Sequence, residues 1–268
     1  MGQVSTLQVE LGTRGVARVT MSRPAVFNAF DETMIAELDA VFADLAADPG
    51  TRLIVLAGAG KHFSAGADLQ WMRRASESSQ QWNLEDARRF AMMLARIADC
   101  PKPTIARVHG AALGGGVGLA CACDLVIATH AANFTISEAR FGILPAVIGP
   151  YLINAVGRRQ ALRLALTTER IDATEALAIG LAHRVVAEQE LDRAIESAIL
   201  QLLAGGPNAQ REIKQLYAQL QPGAVDANVR ELTAQTISRV RGTDEAREGF
   251  AAFLAKRPAS WIAAGSDR

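Results

Sequence analysis

Three consecutive glycines, Gly114-Gly115-Gly116, lead straight into an apolar helical run through Leu119-Ala120-Cys121. Each glycine inside a helix costs about 1 kcal/mol against alanine. A chain keeps such a run where the backbone must stay bare, either for close packing or for a ligand. The surrounding segment, Val108-His109-Gly110-Ala111-Ala112-Leu113 into Gly118, reads as a strand, a glycine-rich turn and a helix start. A second loop of small residues, His62-Phe63-Ser64-Ala65-Gly66-Ala67-Asp68-Leu69, follows a short apolar run and precedes another helix. Amides at a helix start have no partner within the helix. Two such loops can aim N–H groups at one oxygen, an oxyanion hole built from backbone alone.

The rest of the chain alternates strands and helices. Leu7, Val9 and Leu11 alternate with polar residues, and Val16 to Met21 continues after a Gly15 turn. Asp31 reads as an N-cap for a helix whose apolar face is Met34, Ile35, Leu38, Val41, Phe42 and Leu45, ended by Asp48-Pro49-Gly50. Leu53 to Leu56 and Thr104 to Val108 read as strands, as do Asp124 to Ala128 and Asn133 to Ile136. Between them Leu84 to Ala98 is amphipathic, with Ala87, Phe90, Ala91, Leu94 and Ile97 on one stripe. Helix signals dominate after Gly149, apart from His183 to Val186. The class is α/β. The expected division is a core over residues 1–190 and a helical region over 191–268.

Several functions are disfavoured. The 28 Lys and Arg balance 28 Asp and Glu, which speaks against a nucleic-acid binder. Neither glycine loop completes a P-loop or a dinucleotide fingerprint. Ser64 follows His62 where a nucleophile elbow needs a small residue, so it reads as a loop serine. The four histidines and three cysteines show no metal-ligand spacing. Cys100, Cys121 and Cys123 give no disulfide framework, and no secretory or membrane-spanning segment is evident, so a cytoplasmic location is expected.

Order and spacing of these motifs resemble the enoyl-CoA hydratase/isomerase (crotonase) superfamily over most of the chain. The carrying residues are Arg23-Pro24 with Asn28-Ala29, Phe63 to Leu69, Pro103 to Ala106 running into Gly110 to Gly118, and Cys123-Asp124. Ser137-Glu138 with Gly142 and Pro145 follows, and Phe250 to Arg257 closes the pattern. The resemblance implies a spiral of ββα units with a C-terminal helical trimerisation region, forming a homotrimer or a dimer of trimers. It implies an acyl-CoA substrate, with coenzyme A as part of that substrate and no separate cofactor, metal, nucleic acid or membrane partner. It places the amides of Ala67 and Gly115 at the thioester oxygen and makes Glu138 the acid/base. Val26, Ser64, Ala65, Asp68 and Leu69 fall on the CoA-lining positions, and Lys256 and Arg257 on basic positions that reach CoA phosphate.

One position departs from the hydratase pattern. Gly118 stands where family hydratases carry a second glutamate. A single carboxylate serves hydration if it handles both protons, and it serves 3,2-enoyl-CoA isomerisation directly. Segments 62–72 and 142–150 resemble bacterial methylglutaconyl-CoA and carboxygeranoyl-CoA hydratases, which favours hydration of a branched 2-enoyl-CoA. An isomerase, or a non-catalytic CoA- or RNA-binding relative, stands as the alternative. Arg73, Arg74 and Arg140 are neighbours to consider for an extra substrate carboxylate, with a surface role the plainer reading for each.

Overall fold

The structure is a computed structural model, which describes residues 4–262. Its strands are β1 (Leu7–Leu11), β2 (Val16–Met21), β3 (Leu53–Gly58), β4 (Thr104–Val108), β5 (Ala111–Leu113), β6 (Leu125–Thr129), β7 (Asn133–Thr135), β8 (Arg170–Asp172) and β9 (Arg184–Val186). Its helices in the first half are α1 (Glu32–Ala47), α2 (Leu69–Glu77), α3 (Gln80–Ala98) and α4 (Gly115–Ala122). The second half adds α5 (Gly149–Thr167), α6 (Ala173–Ala178), α7 (Leu191–Ala204), α8 (Pro207–Gln219), α9 (Ala227–Arg241) and α10 (Asp244–Leu254).

Six strands form one sheet in the order β1-β2-β3-β4-β6-β9, parallel except for the β1–β2 hairpin. Strand β5 pairs parallel with β7, and β7 antiparallel with β8, in a second sheet. Both faces of the large sheet are covered, which is why β3 reads as one apolar run rather than an alternation. Ile54 and Leu56 join the main cluster, which also holds the buried face of α1. Leu53 and Val55 point the other way, onto Leu191, Ile195 and Ile199 of α7. The apolar core thus extends past residue 190.

Local signals explain most boundaries. The Asp31 carboxylate accepts from Met34 N at 3.1 Å and starts α1. All six residues expected on the face of α1 are buried. Ser79 caps α3 through Trp82 N, so that helix begins before Leu84, where the amphipathic pattern starts. Its stripe is also rotated: Met93, Leu94 and Ile97 are buried, whereas Ala91 is exposed. Asp86 is buried with them because Trp71 Nε1 donates to it at 3.0 Å and Arg89 pairs with it. Strand β5 lies inside the segment that reads as a glycine turn, and β8 lies where helix signals dominate. Each is three residues long, too short for a periodicity.

Helices α8 and α9 bury no residue, and α10 buries only Ala252. The Lys214 ammonium of α8 meets Asp124 Oδ2 at 2.6 Å, and the same oxygen accepts from Thr104 N and Oγ1 at 2.8 and 3.0 Å. Asp124 is thus a structural acceptor joining α8 to β4. Asp124→Ala leaves both Lys214 and the buried Thr104 N–H without this partner. It is expected to lower unfolding stability by about 2 kcal/mol, read from urea titration. Among the described residues no helix is long and apolar enough to cross a membrane.

Candidate active site

Buried polar groups shape the first loop. Asn28 is fully buried; its Nδ2 donates to Ala59 O and His62 O at 2.8 Å, and its Oδ1 accepts from Arg23 N at 3.0 Å. Ser64 Oγ donates to Asn28 O at 2.8 Å and accepts from Gly66 N at 3.1 Å. That hydroxyl is committed to the loop, as a structural serine would be.

Two amides are left over by this geometry. Phe30 N donates to Gly66 O at 2.8 Å, and Asp68 N donates to Phe30 O at 3.0 Å. In such a parallel bridge the residue between, Ala67, turns its own N–H to the opposite side. Gly115 is the first residue of α4, so its N–H has no acceptor in the helix. The two peptides are close. A Cβ on Gly66, where φ is +80°, would lie 2.5 Å from Leu113 O and 3.4 Å from Gly115 N. A Cβ on Gly115 would lie 2.2 Å from Phe30 Cζ. Bare backbone at both glycines is what lets the loops meet.

Glu138 arrives from the second sheet. Pairing of β5 with β7 aligns Leu113 with Thr135, and Gly114 N donates to Thr135 O at 2.7 Å. Three residues beyond Thr135 the chain enters a 3-10 turn, Glu138–Phe141. There Glu138 Oε1 lies 2.9 Å from where a Gly114 Cβ would be. Its Oε2 is buried with no hydrogen-bond partner. Burial pushes the Glu138 carboxyl above the usual carboxylate range, against a smaller opposing effect of backbone hydrogen bonds. Arg140 does not offset it. Its guanidinium donates to Thr168 Oγ1 and O, both at 2.7 Å.

The structure therefore brings Ala67, Gly115 and Glu138 together. Val26 lies on an exposed turn that Ala65 N reaches by donating to Phe27 O at 2.9 Å. Leu69 is 79% exposed. The Asp68 carboxylate caps α2 through Gln70 N and Trp71 N and pairs with Arg23 at 3.1 Å, so it holds the loop. Any ligand contact there falls to its backbone. Lys256 and Arg257 are exposed at the end of α10, where Arg257 forks onto Glu248 at 2.7 and 2.8 Å. Trp71 packs against Phe30 and Phe90 as a core residue. Burial drives the Cys121 thiol up to about 12 and Cys123 higher still, which suits inert packing thiols. Arg73 and Arg74 pair with Glu77 and Glu32 on the surface. Among the described residues no cluster of His, Cys, Asp and Glu is placed to hold a metal ion. Phe30 escaped the sequence reading, and Ile148 enters it only within segment 142–150, since neither carries chemistry of its own.

His62 supports the start of β5. Its Nδ1 accepts from Ala111 N at 3.0 Å, at the start of β5, and therefore needs a free lone pair. Burial, then Lys61 and His109, hold its pKa below the usual imidazole range. A depressed pKa in the fold means stability present above the unfolded value near 6.5 and lost as pH falls through the folded value. His62→Asn keeps an acceptor without the titration. Its melting temperature is expected to fall less than that of the parent between about pH 7 and pH 5, measured by thermal scans.

Two amides without a backbone partner near a buried carboxyl are an arrangement that can stabilise an oxyanion while a proton moves. The chain matches the enoyl-CoA hydratase/isomerase family over residues 12–264, and it belongs to that family. The short-chain-enoyl-CoA hydratase of Clostridium acetobutylicum is 32% identical over 248 residues, covering 90% of this chain and 92% of that protein. The crystal structure of an enoyl-CoA hydratase from Shewanella pealeana superposes with a TM-score of 0.93 at 39% identity, covering 97% of both chains. Pseudomonas aeruginosa AtuE superposes at 0.92 and 37% identity, over 97% of this chain and 100% of that one.

Proposed function

We propose that this enzyme adds water across the double bond of a branched 2-enoyl-CoA, of the methylglutaconyl-CoA or carboxygeranoyl-CoA kind. The observation that carries the reading is the unpartnered Oε2 of Glu138, whose carboxyl closes on Gly114, the residue before the Gly115 amide. The thioester carbonyl oxygen accepts from both amides. Glu138, ionised, takes a proton from water as the water oxygen bonds to C3. The electron pair of the double bond moves to the thioester oxygen as an enolate. Glu138 then returns its proton to C2, so one water is added and the carboxylate is restored. Each amide lowers the barrier by about 3 kcal/mol, through the negative charge that develops on the thioester oxygen as the enolate forms.

CoA is held in this reading by the loop through Ser64, Ala65, Asp68 and Leu69, largely by backbone, with Val26 beside it. Lys256 and Arg257 reach its phosphates from a neighbouring subunit of a homotrimer or a dimer of trimers. Two observations support assembly. The chain exposes 14646 Å², against about 11,000 Å² for a compact monomer of its mass. Phe250, Phe253 and Leu254 of α10 are 58%, 81% and 80% exposed. Light scattering is expected to return three or six times 28.5 kDa. A cytoplasmic enzyme is consistent with three free thiols.

One observation favours a second reading. Gly118 leaves one carboxyl, and one suffices to move a double bond from the 3 to the 2 position. Ultraviolet absorbance separates the two: a 2-enoyl-CoA loses its conjugated band on hydration, and a 3-enoyl-CoA gains it on isomerisation. Hydration of a branched 2-enoyl-CoA at least tenfold faster than isomerisation is the expected result. Isomerisation alone overturns the hydratase reading. No turnover with either, while CoA binds, leaves a binding protein; RNA binding counts only if it weakens steeply with salt.

A further inference from the structure

Two bare positions lie at the start of α4. Gly114 is its N-cap, with a non-helical φ of +49°, and Gly118 follows one turn further into the helix. The Glu138 carboxyl faces the first. Ile148 faces the second: a Cβ on Gly118 would lie 2.3 Å from Ile148 Cγ2 and 2.8 Å from Ile148 Cβ. Non-bonded carbons settle at about 3.5–4.0 Å, so the two volumes overlap. Leu94 Cδ1 closes the same space at 3.7 Å. Nor is Ile148 free to swing aside. It is 2% exposed, its carbonyl accepts from Leu152 N at 3.0 Å, and the next residue, Gly149, donates to Pro145 O at 2.8 Å. Ile148 already fills the place that a side chain on residue 118 would take.

We propose that Ile148 is a specificity-determining residue of this site: it occupies the volume that a second proton carrier on residue 118 would need, and so commits the site to Glu138 alone. This rests on the thioester reading above. The apolar side chain offers water no partner on that side, so the proton that leaves and the proton that returns both pass through Glu138. The Oε2 of that carboxyl is buried and has no hydrogen-bond partner. The pair is reciprocal. Any side chain at 118 requires a smaller residue at 148, and a smaller residue at 148 leaves a void while 118 is glycine.

The test is a set of variants in the full-length enzyme: Gly118→Ala, Ile148→Ala, both together, Gly118→Glu/Ile148→Ala, and Ile148→Val as the conservative control. Melting temperatures read the packing. Gly118→Ala and Ile148→Ala each melt lower than the parent, and the double variant loses clearly less than their sum; additive losses overturn the proposal. Rates with a 2-enoyl-CoA and a 3-enoyl-CoA across pH read the chemistry. Gly118→Glu/Ile148→Ala is expected to add a second ionisation to the kcat/KM profile and to shift the ratio of hydration to isomerisation at least tenfold. Ile148→Val keeps the parent ratio. A profile and ratio for Gly118→Glu/Ile148→Ala equal to those of Ile148→Ala overturn the proposal. If the parent turns over neither thioester, the functional reading fails, while the melting data still decide whether Ile148 fills the position.

Discussion

Glu138→Gln is expected to lower turnover of a 2-enoyl-CoA by about 10²–10⁴-fold while CoA still binds. The amide keeps the shape of the carboxyl and removes its basicity, so the loss reports proton transfer rather than packing. The pH dependence makes the test sharper. Glu138 must be ionised to take a proton from water, and burial holds its carboxyl above the usual range. The parent kcat/KM therefore falls as pH drops through that raised value, and the residual activity of the Gln variant lacks this limb. Stability runs in the opposite direction. A carboxyl with a raised pKa in the fold contributes stability below its unfolded pKa, and that contribution is lost as pH rises through the folded value. At neutral pH the buried charge is a burden, and Glu138→Gln is expected to melt higher than the parent. The difference closes as the parent is acidified. Equal turnover in both proteins rules Glu138 out as the proton carrier.

The second large effect is expected at Gly115. A Cβ there would stand 2.2 Å from Phe30 Cζ and 3.0 Å from Phe30 Cε1. The ring has little room, since Phe90 and Trp71 lie at centroid distances of 5.2 and 6.0 Å. In Gly115→Ala the start of α4 yields instead, and the amide moves away from the thioester oxygen. Loss of one such donor is expected to cost about 10²–10³ in kcat. Phe30→Leu in the same chain makes room and restores part of the rate. The ring can be trimmed because the backbone of Phe30, not its side chain, bonds to Gly66 and Asp68. Gly149→Ala serves as the control: a Cβ there meets nothing within 4 Å. It is expected to stay within about twofold of the parent. Wild-type kcat in Gly115→Ala would remove that amide from the reaction.

Long apolar patterns made much of the fold legible. The face of α1 stands out by its helical period, and the strands β2, β3, β4 and β6 by apolar residues that are buried in the sheet. Strand β5 is hidden inside the glycine-rich turn and β8 between two helices, and the stripe of α3 is misjudged because a buried aspartate reads as polar surface until Trp71 is beside it. The site is legible differently. A lone carboxylate after a short strand looks like any surface glutamate, and only resemblance to a family singles out Glu138. Its burial, and its approach to Gly114, depend on the pairing of β5 with β7. The glycine run announced bare backbone without saying why. Gly115 clears the Phe30 ring, Gly116 clears Ser64 O, and Gly118 clears Ile148.

The two donors inferred for the thioester oxygen are peptide groups, and every residue except proline carries one. A point mutation at Ala67 or Gly115 can displace such a donor but, proline aside, cannot delete it. What is inherited at this site is a path of the main chain, held by Asn28, Ser64 and the bridge at Phe30. The proton carrier we propose, by contrast, is one side chain on a short turn and can be exchanged in a single step. Such a division of labour lets descendants of one scaffold keep the polarising half of the chemistry while trying new acids, new bases or none.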